Sequence, residues 1–300
     1  MPLRLLTLLL STLLAGPQRT ASYPPSVKVD VDLIVVNASV TDAAGQPVAG
    51  LDKNQFQLWE DKVQQDIRYF STEEVPVSVG VIFDVSSSMA AKLLAARASV
   101  AQFLTTGTTN DEYALIEFNN HVQVAQDFTT DTKEFQNRLA FVSASGSTAL
   151  YDAVYLGIET LRHAHNTRKA LLLVTDGEDN HSHYTFSDLK ELAKESDIQI
   201  YAIGMGGFVI PTMTKGHIPG TKILQDLVDL TGGQAFFTAH ADNLEEICSK
   251  ISASLRTEYV IGYASTNLNK DGKWRKLRFK VSSVPRARVH ARSGYYAAMP

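Results

Sequence analysis

The sequence predicts an α/β domain with a doubly wound, mostly parallel sheet, inserted in a small β-sandwich that both chain ends build. Three observations carry this. Val77 to Phe83 is almost continuously apolar, as expected of a strand buried on both faces of a parallel sheet. Apolar runs and helix-spaced segments then alternate as far as Leu255. Outside that stretch the period falls to two, with Val27, Val29, Val31, Leu33 and Val35 alternating at one end and Leu277, Phe279 and Val281 at the other.

The 300 residues are 44% hydrophobic and 20% charged, which excludes collagen-like and low-complexity chains. A formal net charge of -4 gives no basic field for a phosphate backbone, so no nucleic-acid partner is expected. With the single cysteine Cys248, no intramolecular disulfide and no cysteine-rich zinc site can form. Arg4, the apolar run Leu5 to Leu14 and the small residues Ala15-Gly16 read as a signal peptide over residues 1–21, too short to span a bilayer. Export to the periplasm, the cell envelope or the medium is therefore expected.

Residues 22–74 read as the N-terminal β segment of the sandwich. It holds a strand from Val27 to Val36, a strand and turn through Val40 to Pro47, and strands at Phe56–Asp61 and Ile67–Phe70. Residues 75–255 read as the α/β domain. Its strands are expected at Val77–Phe83, Tyr113–Phe118, Val122–Ala125, Ala170–Thr175, Ile198–Ile203 and Ala235–Phe237. Helices are expected at Ala90–Leu104, Lys133–Leu139, Leu150–His163, Phe186–Glu195, Ile223–Thr231 and Leu244–Leu255. The tight turn Asn119-Asn120 leaves no room for a crossover helix, so the strand after it should run antiparallel. Residues 256–300 supply the remaining sandwich strands, with Asn269-Lys270-Asp271-Gly272 as a hairpin turn.

Open α/β sheets bind ligands outside the carboxyl ends of their strands. Three segments fall there. Asp84-Val85-Ser86-Ser87-Ser88 follows the first strand of the domain, Thr148 opens a helix, and Asp176 follows the fourth strand. Asp84, Ser86, Ser88, Thr148 and Asp176 are all hard oxygen donors, suited to Mg2+, or to Mn2+ or Ca2+. Few carboxylates among neutral hydroxyls leave such an ion Lewis acidic and open to an outside carboxylate. The plainer alternative is that Ser86, Ser88 and Thr148 only cap helices. Asp152, one helical turn after Thr148, is a candidate to orient a metal-bound water from behind the ligands.

These five positions resemble the metal-ion-dependent adhesion site of the von Willebrand factor A domain, and the resemblance spans about Val75 to Leu255. It implies metal contacts from Asp84 and both serines, a direct contact from Thr148 when a ligand is bound, and action of Asp176 through water. The flanks Val40 to Leu51, Trp59-Glu60-Asp61 and Ala291 to Tyr296 are similar to bacterial exported A-domain proteins first grouped in acidobacteria. The function expected from the resemblance is a binding protein that engages an acidic group of a protein partner through the metal.

The competing expectation is a metal-assisted hydrolase of a phosphate or similar anion, which needs a base and a cation by the metal. The basic residue nearest Asp84 in sequence is Lys92, and no Gly-x-Ser-x-Gly elbow or activated cysteine is present, so an enzyme is not expected. Neither His163/His165 nor His181/His183 has zinc-site spacing. Gly204-Met205-Gly206-Gly207 lacks the third glycine of a dinucleotide loop, so no nucleotide is expected. Nine Lys and Arg lie between positions 270 and 292 with Asp271 the only acid, offering an anionic contact on the C-terminal β segment.

Overall fold

The computed structural model describes residues 33–206, 218–238 and 243–299. The expected leader, the first part of the strand expected from Val27, and Gly207 lie outside the described residues.

The chain opens with β1 (Leu33–Thr41), β2 (Phe56–Glu60), β3 (Val63–Gln65) and β4 (Ile67–Ser71). The α/β part follows with β5 (Val77–Asp84), α1 (Leu93–Thr105), β6 (Glu112–Phe118), β7 (Val122–Thr129), α2 (Thr132–Ala140) and α3 (Leu150–Arg162). It continues with β8 (Arg168–Thr175), α4 (Phe186–Glu195), β9 (Gln199–Met205), α5 (Gly220–Thr231), β10 (Ala235–Thr238) and α6 (Leu244–Arg256). The last strands are β11 (Tyr259–Ala264), β12 (Trp274–Val281), β13 (Arg288–Ala291) and β14 (Gly294–Tyr296).

The central sheet has the order β10-β9-β8-β5-β6-β7. All neighbours are parallel except β7, which runs antiparallel to β6 after the Asn119-Asn120 turn. Every residue of β5 is buried because apolar layers cover both faces of the sheet. On one face Val79, Val81 and Phe83 pack with Val100 and Phe103 of α1 and Ile247 and Ile251 of α6. On the other, Ile82, Ile116 and Leu173 pack with Val154 and Ile158 of α3 and Leu224 and Leu227 of α5. Each fully buried side chain of this kind contributes about 1.5–3 kcal/mol.

The chain ends interleave in two further four-stranded sheets, β13-β1-β11-β4 and β14-β12-β2-β3. Their inner faces share one core, in which Val36 and Val40 meet Leu58, Ile261 and Leu277. Glu60 is buried in that core, and its carboxylate accepts from the hydroxyls of Tyr263 at 2.7 Å, Ser265 at 2.7 Å and Tyr295 at 2.9 Å. Sheet pairing places these residues together although they lie more than 200 positions apart.

The two parts join at the amino-terminal end of the central strands. Arg168, which begins β8, contacts Glu258 at 3.0 Å and donates to the Leu255 carbonyl. Ser293 N–H donates to the Leu230 carbonyl at 3.0 Å. Asp84, the last residue of β5, lies at the opposite, carboxyl end of the sheet.

Boundaries differ from expectation where hydrogen bonding, not hydropathy, decides them. The helix expected from Ala90 begins at Leu93, preceded by a single 3-10 turn at Ser87–Met89. That delay keeps the Asp84-to-Ser88 loop at the sheet edge. Strands β3 and β14 are three residues each, too short for a periodicity to register.

Candidate metal site

Asp84 is the last residue of β5 and is fully buried. Its Oδ1 accepts the Ser86 N–H at 2.8 Å, closing the turn, and its Oδ2 accepts the Thr175 hydroxyl at 2.6 Å. Burial raises its pKa above the usual carboxylate value, with the nearby Asp176 charge adding to the rise and the Ser86 and Thr175 hydrogen bonds opposing it. The Ser86 and Ser88 hydroxyls lie 3.1 Å apart. Asp84, Ser86 and Ser88 therefore form one cluster, because a turn with polar residues at alternate positions brings them to the same side.

Asp176 follows β8, the neighbour of β5. Its Oδ2 accepts from Lys92 Nζ at 3.0 Å, and its Oδ1 is buried with no hydrogen-bond partner among the described residues. Gly177, at φ +84, turns the chain sharply after it, and Gly177 N–H donates to the Thr175 hydroxyl.

Thr148 is buried at the start of the third segment. Backbone bonds lace this segment to both of the others. Ser145 N–H donates to the Val85 carbonyl at 2.7 Å and Ser87 N–H to the Gly146 carbonyl at 3.0 Å. Thr148 N–H donates to Asn180 Oδ1, and the Thr148 carbonyl accepts from the N–H groups of Asn180 and His181. The Thr148 hydroxyl itself makes no hydrogen bond to the other four residues.

The capping alternative is not what the structure contains. Ser86 precedes the 3-10 turn without a side-chain cap bond and α1 follows Lys92, while the first N–H groups of α3, those of Tyr151 and Asp152, donate to the Ser182 hydroxyl at 3.0 and 3.2 Å and not to Thr148. Asp152 accepts the His183 ring Nδ1 at 2.8 Å and the N–H groups of His183 and Tyr184, fastening α3 to the loop after Asp176. Burial would raise its pKa, but these hydrogen bonds outweigh it and hold the carboxyl below the usual range. The hydrogen bonds of the Asp152 carboxylate go to His183 and Tyr184, not to Asp84, Ser86, Ser88 or Asp176.

Two residues acquire roles that the sequence does not show. Lys92 is visible there only as the basic residue nearest Asp84, and Thr175 only as the end of a strand. Their positions, eight residues after Asp84 and one before Asp176, carry no recognisable periodic signal. Fold proximity makes Lys92 the counter-charge of Asp176 and Thr175 the anchor of Asp84.

The donors fit a small hard divalent ion. Two carboxylates of which one oxygen lacks any partner, with a pair of serine hydroxyls beside them, match the preference of Mg2+ for oxygen ligands. Among the described residues no three His, Cys, Asp or Glu side chains are grouped to hold a metal.

Residues 79–178 match the family model of the von Willebrand factor type A domain. The match runs from β5, which ends at Asp84, to the residues just after β8, where Asp176 lies, and falls within the doubly wound sheet. A von Willebrand factor type A protein from Catenulispora acidiphila shares the fold with a TM-score of 0.53 at 14% identity, over 90% of this chain and 74% of that one. A variant of the PilB minor pilin from Streptococcus sanguinis does so with a TM-score of 0.50 at 14% identity, over 62% of this chain and 63% of its own. An uncharacterised protein of Borreliella burgdorferi is 23% identical over 136 residues, 42% of this chain, so the match spans 40% of that relative's length.

Proposed function

We propose that the chain is a binding protein that grips an acidic group of a protein partner through a divalent metal, Mg2+ or its relatives Mn2+ and Ca2+. Asp84, Ser86, Ser88, Thr148 and Asp176 would hold the ion. The bound ion would supply a Lewis-acidic position for the partner's carboxylate. The observation that carries this reading is the buried Asp176 Oδ1, without a hydrogen-bond partner among the described residues, at the same sheet edge as Asp84 and the serine pair. A buried carboxylate oxygen without a donor is costly unless something positive comes to it. Thr175 and the Ser86 N–H orient Asp84, while the backbone ties around Thr148 bring its loop to the same edge.

Calorimetric titration with Mg2+, Mn2+ and Ca2+, run beside Asp84→Ala, tests the reading directly. Saturable binding in the parent chain that is lost in the variant supports it. Equal binding in both chains, or none at millimolar metal, removes it.

A metal-assisted hydrolase is the second reading, and Lys92 at 3.0 Å from Asp176 favours it by placing a cation at the site. Against it stands Asp152, the candidate base, whose oxygens are engaged by His183 and Tyr184. Release of phosphate from p-nitrophenyl phosphate in Mg2+ or Mn2+, abolished by Asp84→Ala, would select this reading.

We further propose that residues 1–21 are removed on export, with residues 22–74 and 256–300 forming one sandwich around a domain at 75–255. Among the described residues no helix is long and apolar enough to cross a membrane. Amino-terminal sequencing of the chain recovered from its native host tests the export step: an intact Met1 contradicts it.

A further inference from the structure

The outward face of the β2–β12 pair carries a groove of ≈ 730 Å³ that shares no residue with the Asp84 site. Alternation along β12 turns Arg275, Leu277 and Val281 inward and leaves Lys276, Arg278 and Lys280 exposed in a row. Antiparallel register sets Arg278 beside Trp59 and Lys280 beside Gln57. A half-buried indole therefore lies along the row of cations.

Lys62 completes the groove from the β2–β3 turn. Asp61 and Lys62 occupy the two turn positions at φ 45 and 74, where glycine or asparagine is favoured and another residue costs about 1–2 kcal/mol. A cation is kept at a strained position that faces the groove. The single acid there, Asp61, spends Oδ1 on the Lys276 backbone N–H. Among the described residues no carboxylate lies within ion-pair distance of Lys62, Lys276, Arg278 or Lys280, whereas the neighbouring Arg275 is paired with Asp271 at 2.7 Å. In a chain of net charge -4, four cations thus share this groove with one carboxylate, that of Asp61.

The shape and spacing select the partner. Alternate side chains on a strand stand about 7 Å apart, so three of them read about 14 Å of an extended, regularly charged polymer. A groove with a half-buried indole along it does not fit the flat surface of a bilayer, and a chain of net charge -4 has no extended basic field for a nucleic-acid backbone. A ring with an apolar face and one carboxylate per unit satisfies both the indole and the cations. We propose that this groove binds an acidic linear polysaccharide of the uronate type, with Trp59 stacking one sugar ring and Lys62, Lys276, Arg278 and Lys280 taking its carboxylates.

The test is calorimetric titration of the full chain with hexagalacturonate in chelator, which keeps the Asp84 site out of the measurement. Maltohexaose serves as the neutral control, and a glutamate hexapeptide and an oligothymidylate of equal charge as the competing polyanions. The expected result is saturable, salt-sensitive binding of the uronate alone. It should weaken roughly tenfold in Arg278→Gln/Lys280→Gln and about fivefold in Trp59→Leu. Melting curves matching the parent chain show that the surface variants fold. Absent uronate binding, binding unaffected by the double variant, or tighter binding of the peptide or the oligonucleotide would each overturn the proposal.

Discussion

The Thr175 hydroxyl donates to Asp84 Oδ2 at 2.6 Å and accepts from the Gly177 N–H at 3.0 Å, joining the tips of two neighbouring parallel strands through one side chain. Thr175→Val keeps the shape and removes the hydroxyl, leaving Asp84 Oδ2 buried without its donor. The expected loss of stability is about 1–3 kcal/mol, read by urea unfolding, and Thr175→Ser should recover most of it. An unchanged midpoint in the valine variant would show that the bond is not formed in solution.

Lys92 sets the charge of the site. Its side chain is 31% exposed, so its pair with Asp176 contributes less than about 1 kcal/mol to stability. Under the metal-binding proposal its ammonium repels an incoming dication across a short distance. Lys92→Met should therefore tighten Mg2+ binding by roughly threefold or more in calorimetry, with little change in melting temperature. Weaker binding in the variant would mean that Lys92 orients Asp176 rather than competing for it.

Gly177 holds the turn after Asp176 at φ +84, and a Cβ there would stand 2.9 Å from the Gly220 carbonyl carbon. Gly177→Ala meets both a disfavoured dihedral and a backbone wall, with no flexible side chain to give way. A cost above about 2 kcal/mol is expected, measured as a fall in the thermal midpoint. Gly45, also at positive φ but with nothing near its would-be Cβ, is the control: Gly45→Ala should cost less.

Glu258 introduces a pH dependence at the junction with the sandwich. Burial lifts its carboxyl from the ordinary 4.5 to about 7, against the attraction of Arg168. The folded chain thus holds a proton that the unfolded chain releases at lower pH. Its stabilising contribution is fully present below about 4.5 and is lost as pH rises through about 7. Relative to Glu258→Gln, the parent chain should lose unfolding free energy between pH 5 and pH 8. Parallel stability curves for the two chains over that range would contradict this.

Much of the fold was legible because its signals are local. The apolar run Val77 to Phe83 announces a strand with both faces covered, and β5 is buried at every residue. The Asn119-Asn120 turn forces the antiparallel edge strand β7. Strand β12 shows its two faces in alternate residues, Leu277 inward and Lys276 and Arg278 outward. Strands β3 and β14 escaped notice because three residues hold no period, and their existence depends on partners such as Leu58 for Gln65 and Trp274 for Tyr296.

The sequence by itself determined the α/β class, the alternating end strands and the oxygen-rich residues from Asp84 to Ser88, since each is written within a few neighbouring positions. Only the tertiary structure decided that Lys92 meets Asp176 across 84 residues, that Thr175 anchors Asp84 across 91, and that Glu258 is buried beside Arg168. Local patterning fixes which face a residue shows, because backbone geometry repeats over two or three and a half residues. Pairings between distant side chains follow from strand order and sheet packing, which arise from the whole core and leave no local trace.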